Sequence, residues 1–136
     1  MGTEVRKFQL QCEPAGKLSF TRDAASGAVR AKLKITNKSD TRQAFKVKCT
    51  RNDLFKIRPS MGLLEYREEA IVEIEYRPKE GEVPDEERQH FGVYHIPAPE
   101  GCTAEGAWME HYGQPQGDTR LRVRFDVPKV AFEGKE

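Results

Sequence analysis

The chain has 136 residues, 37% of them hydrophobic and 33% charged, with a formal net charge of +1. That length suits one domain with a single core and no need of metal or disulfide staples. The balanced charge excludes a global field that would recruit nucleic acid. No apolar run approaches a membrane span and the N-terminus lacks a signal-type apolar stretch, so no membrane insertion is expected and the expected compartment is the cytoplasm. Three cysteines (Cys12, Cys49 and Cys102), odd in number and without paired spacing, fit free thiols.

Alternation of apolar and polar residues, the period of a half-buried strand, dominates the chain. Residues 7–12 place Phe8, Leu10 and Cys12 on one side and Lys7, Gln9 and Gln11 on the other. Pro14 and Gly16 interrupt this pattern before Leu18 and Phe20 resume it, which predicts a split first strand at an edge. A strand over 28–36 turns Leu33 and Ile35 inward and Lys32, Lys34 and Thr36 outward. The polar stretch from Thr36 to Asp40 reads as a turn. It joins this strand to a facing one, in which Phe45, Val47 and Cys49 alternate with Lys46, Lys48 and Thr50. A short strand follows through Leu54, Phe55 and Ile57, and Pro59-Ser60-Met61-Gly62 has the composition of a turn.

The next strand, over 70–77, ends at Pro78, and residues 79–88 form a charged surface loop. A strand over 89–96 points Phe91, Val93 and His95 inward. Thr103 is placed to cap a short helical turn over 103–112, with Ala104, Ala107, Trp108 and His111 on one face. Trp108 reads as a packing residue over the end of the fold. The last strand, over 119–127, buries Leu121, Val123, Phe125 and Val127 and exposes Arg120, Arg122 and Arg124. Pro128 ends it, and 129–136 is a charged tail. Seven short strands separated by turn signals predict an all-β antiparallel sandwich.

Charge is segregated along the chain. Basic residues crowd 30–51 and acidic residues crowd 65–87, which predicts a cationic surface suited to an acidic partner or to the acidic face of another copy. Catalysis finds no support: there is no phosphate-binding glycine loop, nucleophile elbow or dinucleotide fingerprint. His90, His95 and His111 have no companion at zinc spacing, and His90 and His95 face opposite sides of one strand. No catalytic residue, cofactor or metal ligand is assigned, and the expectation is a protein that is not an enzyme. The arginine and lysine rows lack interleaved aromatic residues, so no nucleic-acid partner is expected.

The strings NKSD at 37–40, AFKVKCT at 44–50, IRPSMG at 57–62 and LRVRFDVP at 121–128 resemble the major sperm protein (MSP) domain family. This family includes the nematode sperm cytoskeletal proteins and the cytoplasmic domain of the VAMP-associated proteins. The resemblance implies an immunoglobulin-like seven-stranded β-sandwich over 1–128, without the disulfide of antibody domains. It also implies a cationic strip that in VAMP-associated proteins takes acidic peptides carrying two phenylalanines. That strip falls on Val47, Lys48 and Thr50, with Cys49 where the family has threonine. His90 and Gly92 stand where the family has lysine and methionine, and Arg120 stands at a lysine. The predicted protein-binding residues are therefore Lys46, Val47, Lys48, Thr50, His90 and Arg120, with Lys32 and Lys34 beside them.

A lone domain with no coiled coil or anchor after Pro128 resembles the sperm type more than a membrane tether. The leading expectation is thus a non-enzymatic, cytoskeleton-associated interaction module in nematode sperm cytoskeleton assembly or its regulation. Its partners would be MSP-type cytoskeletal proteins or further copies of itself as a homo-oligomer. The alternative is a soluble adaptor for acidic diphenylalanine peptides.

Overall fold

A computed structural model describes residues 7–81 and 84–126. Its elements in chain order are β1 (Leu10–Glu13), β2 (Lys17–Arg22), β3 (Val29–Asn37), β4 (Gln43–Cys49), β5 (Phe55–Arg58), β6 (Met61–Leu64), β7 (Glu69–Tyr76), β8 (His90–Pro97), α1 (Ala104–Met109) and β9 (Gly117–Phe125). Sheet I pairs β5 with β7, β7 with β3, and β3 with β1 and the end of β2. Sheet II runs β2, β9, β8, β4, β6. The expected all-β sandwich is therefore present.

The nine segments are seven strands, two of them split. Cis-Pro14 separates β1 from β2, and cis-Pro59 separates β5 from β6. Proline lacks a ladder donor, and at both places the chain leaves one sheet for the other. The first split matches the sequence pattern. The second does not, because Met61 and Gly62, expected in a turn, open β6. The strands expected to face each other across the turn after Thr36 do not pair: β3 and β4 lie in opposite sheets, so that turn is a crossover. One pairing, β2 with β9, is parallel rather than antiparallel, since the second half of the split strand lies against the final strand. Val127 and the charged tail lie outside the described residues.

Inward side chains of both sheets form one core, in which Leu18, Phe20, Leu33, Ile35, Val72, Ile74, Phe91 and Val93 are fully buried. Phe55 meets Phe20 and Phe91 with ring centroids 5.4 and 5.0 Å apart, within the range where tilted and edge-on rings attract. A second, smaller cluster sits on the outer side of sheet II. There Ala107 and Trp108 of α1 pack on Ala44 and Ile96. Thr103 caps α1 by accepting the Gly106 N–H at 2.9 Å. Trp108 thus covers the outer face of a sheet rather than the end of the sandwich.

Two buried polar groups hold the crossovers. Asn37 is wholly buried, and its amide nitrogen donates to the carbonyls of Thr41 and Leu64, both at 2.8 Å. Its Oδ1 accepts the Ser39 N–H at 2.9 Å, while its backbone bonds to Glu68 and Arg67. One side chain therefore ties the β3–β4 crossover to the end of β6 and the turn into β7. His95 is equally buried. Its Nε2 accepts the Gln9 N–H at 3.1 Å, which leaves Nδ1 as the proton-bearing nitrogen that donates to Gln43 Oε1 at 2.8 Å. Through this pair the stretch ahead of β1 is fastened to sheet II.

Both groups lead to stability predictions. Asn37→Ala orphans the buried Leu64 carbonyl and the buried Ser39 N–H and should cost about 2–4 kcal/mol in urea unfolding, each orphaned group contributing its own desolvation. Burial pushes the His95 pKa down to about 4, outweighing the nearby Asp118 charge. The unfolded chain therefore takes up this proton near pH 6.5 and the folded chain only near 4. Stability should be constant above pH 6.5 on this account and fall by ~3 kcal/mol as pH drops to 4. His95→Gln should lack that slope in denaturant titrations across the same pH range.

Candidate functional site

The outer face of sheet II is built by strand register. Odd residues of β4 (Phe45 and Val47) point into the core, so Lys46 and Lys48 point out. Across the sheet, Lys46 lies opposite Tyr94, and Tyr94 opposite Asp118. In the next row Lys48 lies opposite Gly92, and Gly92 opposite Arg120. A third row begins at Thr50, whose N–H donates to the His90 carbonyl at 3.2 Å, and continues from His90 to Arg122. Among the described residues no carboxylate lies within ion-pair distance of Lys48, Arg120 or Arg122.

The predicted residues do not all belong to this face. Lys46, Lys48, Thr50, His90 and Arg120 converge on it. Val47 does not: its side chain is buried in the core, so it backs the surface and is closed to a partner. Lys32 and Lys34 lie on the outer face of sheet I, on the far side of the sandwich. There Arg30, Glu75 and Lys56 form one cross-strand row and Lys32, Glu73 and Arg58 the next. Lys34 pairs with Glu13 at 3.4 Å and with Glu69 at 3.8 Å. The acidic run of β7 is thus interleaved with cations and forms no separate acidic face, contrary to the segregation along the chain.

Two aromatic residues shape the site, and neither was assigned to it from sequence. A Cβ on Gly92 would lie 2.7–2.9 Å from Tyr94 ring and hydroxyl atoms, so the ring occupies the space that a side chain at 92 would fill. The Lys48 ammonium sits 5.6 Å from the centre of that ring. The Lys46 ammonium sits 4.7 Å from the centre of the Trp108 ring, and Trp108 Nε1–H donates to the Phe45 carbonyl at 3.3 Å. In both contacts the ring face attracts the ammonium electrostatically. Burial, with the neighbouring Lys48 charge, pushes the Lys46 pKa down. The parity of β8 already put Tyr94 outward with Gly92. Its lean over the glycine depends on the absence of a Cβ and has no sequence signature.

Thr50 is committed to the fold as well, its hydroxyl accepting the His90 N–H at 3.1 Å. Among the described residues no group of three or more His, Cys, Asp or Glu side chains could hold a metal ion.

Residues 9–113 match the family model described as the MSP (major sperm protein) domain. The chain belongs to the MSP domain family. Members of this family serve as protein-interaction modules. Among similar proteins, the vesicle-associated membrane protein/synaptobrevin-binding protein of Aplysia californica is 31% identical over 118 residues, covering 85% of this chain and 45% of that protein. Human vesicle-associated membrane protein-associated protein B/C is 28% identical over 120 residues, covering 88% of this chain and 49% of that protein. The chain thus spans about half the length of these relatives. Among solved structures, the Caenorhabditis elegans MSP family member WR4 superposes with a TM-score of 0.66 at 20% identity, covering 86% of this chain and 97% of that one. SSP-19 of the same organism gives 0.67 at 20% identity, covering 85% and 98%. These two structures speak for the MSP fold, to which the immunoglobulin-like sandwich conforms.

The packing of Tyr94 on Gly92 is open to a double-mutant cycle. Gly92→Ala should destabilise the MSP domain by about 1–2 kcal/mol, because a new Cβ meets the ring. In the Tyr94→Ala background the same change should cost under ~0.5 kcal/mol. Equal costs in both backgrounds would show that the ring is not what the glycine accommodates.

Proposed function

We propose that this MSP domain captures an acidic segment of a partner protein on the outer face of sheet II. The observation that carries the reading is the contrast between the two outer faces. Every central anion of sheet I sits between cross-strand cations, while sheet II sets Lys48, Arg120 and Arg122 together without a carboxylate partner among the described residues. Like charges gathered on one sheet face are unfavourable, and an acidic ligand relieves that cost. The Tyr94 ring supplies the apolar contact that a methionine at 92 would have offered, so a partner with aromatic residues beside its carboxylates suits the surface. The Aplysia californica relative is named for binding vesicle-associated membrane protein/synaptobrevin, which fits a partner-capturing role.

Cytoskeletal assembly of the sperm type is the second reading. What favours it is the edge strand β5, which among the described residues pairs only with β7. Exposed edges invite pairing, but this one has four residues, carries Lys56 and Arg58 and ends at Pro59, all features that blunt an edge.

A fluorescent acidic diphenylalanine peptide titrated into the native chain should bind saturably and more weakly at higher salt, since the attraction is screened. Lys48→Glu should weaken binding more than tenfold, at least ~1.4 kcal/mol. The same substitution should leave any self-association seen by sedimentation unchanged. Absence of binding at high micromolar protein would retire the acidic-segment reading and leave assembly as the surviving one.

A further inference from the structure

The outward residues of β9 recur at every second position, so Asp118, Arg120 and Arg122 stand in successive rows about 7 Å apart. The Lys48–Gly92–Arg120 row holds no carboxylate, but the surface on either side of it does. On one side Asp118 shares a row with Tyr94 and Lys46. On the other, the parallel pairing of β2 with β9 sets Lys17 opposite Arg122. An open groove of about 760 Å³ runs beside them, lined by Lys17, Arg120 and Arg122 and equally by Glu86, Glu87 and Asp126. The groove is of mixed charge, and the part of the face without carboxylates is narrow.

The three carboxylates of the groove are not equivalent. Asp126 is paired with Arg124 at 2.8 Å. Glu86 and Glu87 lie within ion-pair distance of no cation among the described residues, yet the fold holds them in place. The Glu86 carboxylate accepts the Phe125 N–H at 2.7 Å, at the end of β9. The Glu87 and Arg88 N–H groups donate to Asp85 Oδ1 at 3.1 and 3.3 Å, which fixes the turn that carries both glutamates. The buried Gln89 accepts the Thr50 hydroxyl at 3.2 Å and ties the other end of that turn to sheet II. Fixed anions beside a cationic row repel any further carboxylate brought to it.

We infer that Glu86 and Glu87 are specificity determinants: they form a stop that confines a ligand's carboxylates to the Lys48–Arg120 row and turns away a long acidic tract. This inference rests on the acidic-segment reading and adds the rule by which the site chooses among acidic segments. Choosing between ligands takes a repulsive element as well as an attractive one. Here Lys48 and Arg120 attract, while the Glu86–Glu87 turn repels on one side and Asp118 on the other. An extended ligand running along the strands advances ~3.3 Å per residue. A carboxylate two residues from one held at Lys48 and Arg120 has therefore moved a full row, toward Asp118 or toward Glu86 and Glu87.

The test uses the full chain and two fluorescent peptides with the same aromatic residues, one carrying two carboxylates and the other eight in an unbroken tract. Glu86→Gln with Glu87→Gln removes the stop, and the glutamine at 86 keeps an oxygen to accept the Phe125 N–H. Glu87→Gln alone leaves that bond untouched. Glu73→Gln with Glu75→Gln removes the same net charge from the outer face of sheet I. The native chain should bind the two peptides within about twofold of each other. Loss of the stop should tighten the long peptide about five- to tenfold and the short one less than about twofold. Glu87→Gln alone should tighten the long peptide about two- to threefold, and the sheet I variant should change either peptide by less than about twofold. A native chain that already prefers the long peptide more than about fivefold would overturn the inference. So would equal gains in the two double variants, which would mark a general charge effect, or no gain in either. Equal tightening of both peptides on loss of the stop would overturn it too, since the glutamates would then weaken capture without selecting length. Failure of both peptides to bind the native chain would overturn the acidic-segment reading itself, and this inference with it.

Discussion

The Asn37 amide is the constraint on which the rest of the sandwich depends. A β3 residue must end sheet I, turn the chain and deliver it to sheet II with the alternation of β4 in the right phase. Asn37 does this by filling its hydrogen-bonding capacity with Thr41, Leu64 and Ser39, all brought close by the crossover it closes. A buried primary amide offers two donors and two acceptor sites, and each one left unfilled would cost as much as a bond. Were the phase of β4 to slip by one residue, Phe45 and Val47 would face solvent and Lys46 and Lys48 the core. The proposed binding face is therefore downstream of a network that lies away from it.

The two outer faces show how one pattern of alternation serves opposite ends. On sheet I, β7 supplies Glu73 and Glu75 between the cations of β3 and β5, and the face neutralises itself. On sheet II, β8 and β9 carry His90, Gly92, Tyr94, Arg120 and Arg122, with Asp118 as the one carboxylate of these rows, opposite Tyr94. Helix α1 covers one end of this second face with Ala107 and Trp108. The lysines of β4 rest on aromatic rings in cation–π contact.

Particular elements show what local pattern conveys and where it stops. The capped helix was readable from Thr103 and the spacing of Ala104, Ala107 and Trp108, because a cap and a helical period act over a few residues. The split at Pro14 was readable because proline removes a donor wherever it stands. The strand at Met61 was not. Pro59-Ser60-Met61-Gly62 has turn chemistry, yet Met61 and Gly62 are drawn into sheet II by pairing with Lys46 and Phe45, a partner that composition cannot name. Val47 was placed in the site from resemblance, while its own alternation had it inward; the alternation prevailed because burying an apolar side chain outweighs a motif position.

By itself the sequence determined which side chains leave most strands on the polar side, most of the places where the chain turns, and that the product is an all-β sandwich of the MSP type. Those properties are local, with a period of two residues and a turn chemistry of four or five. Only the tertiary structure decided which of the outward cations share a surface. Lys34 and Lys46 are close in sequence and end on opposite faces, whereas Lys17 and Arg122 lie near the two ends of the chain and become neighbours through the parallel pairing of β2 and β9. Strand pairing is non-local and is chosen by the fit of the whole core, so the sign and extent of a sheet face are properties of the fold.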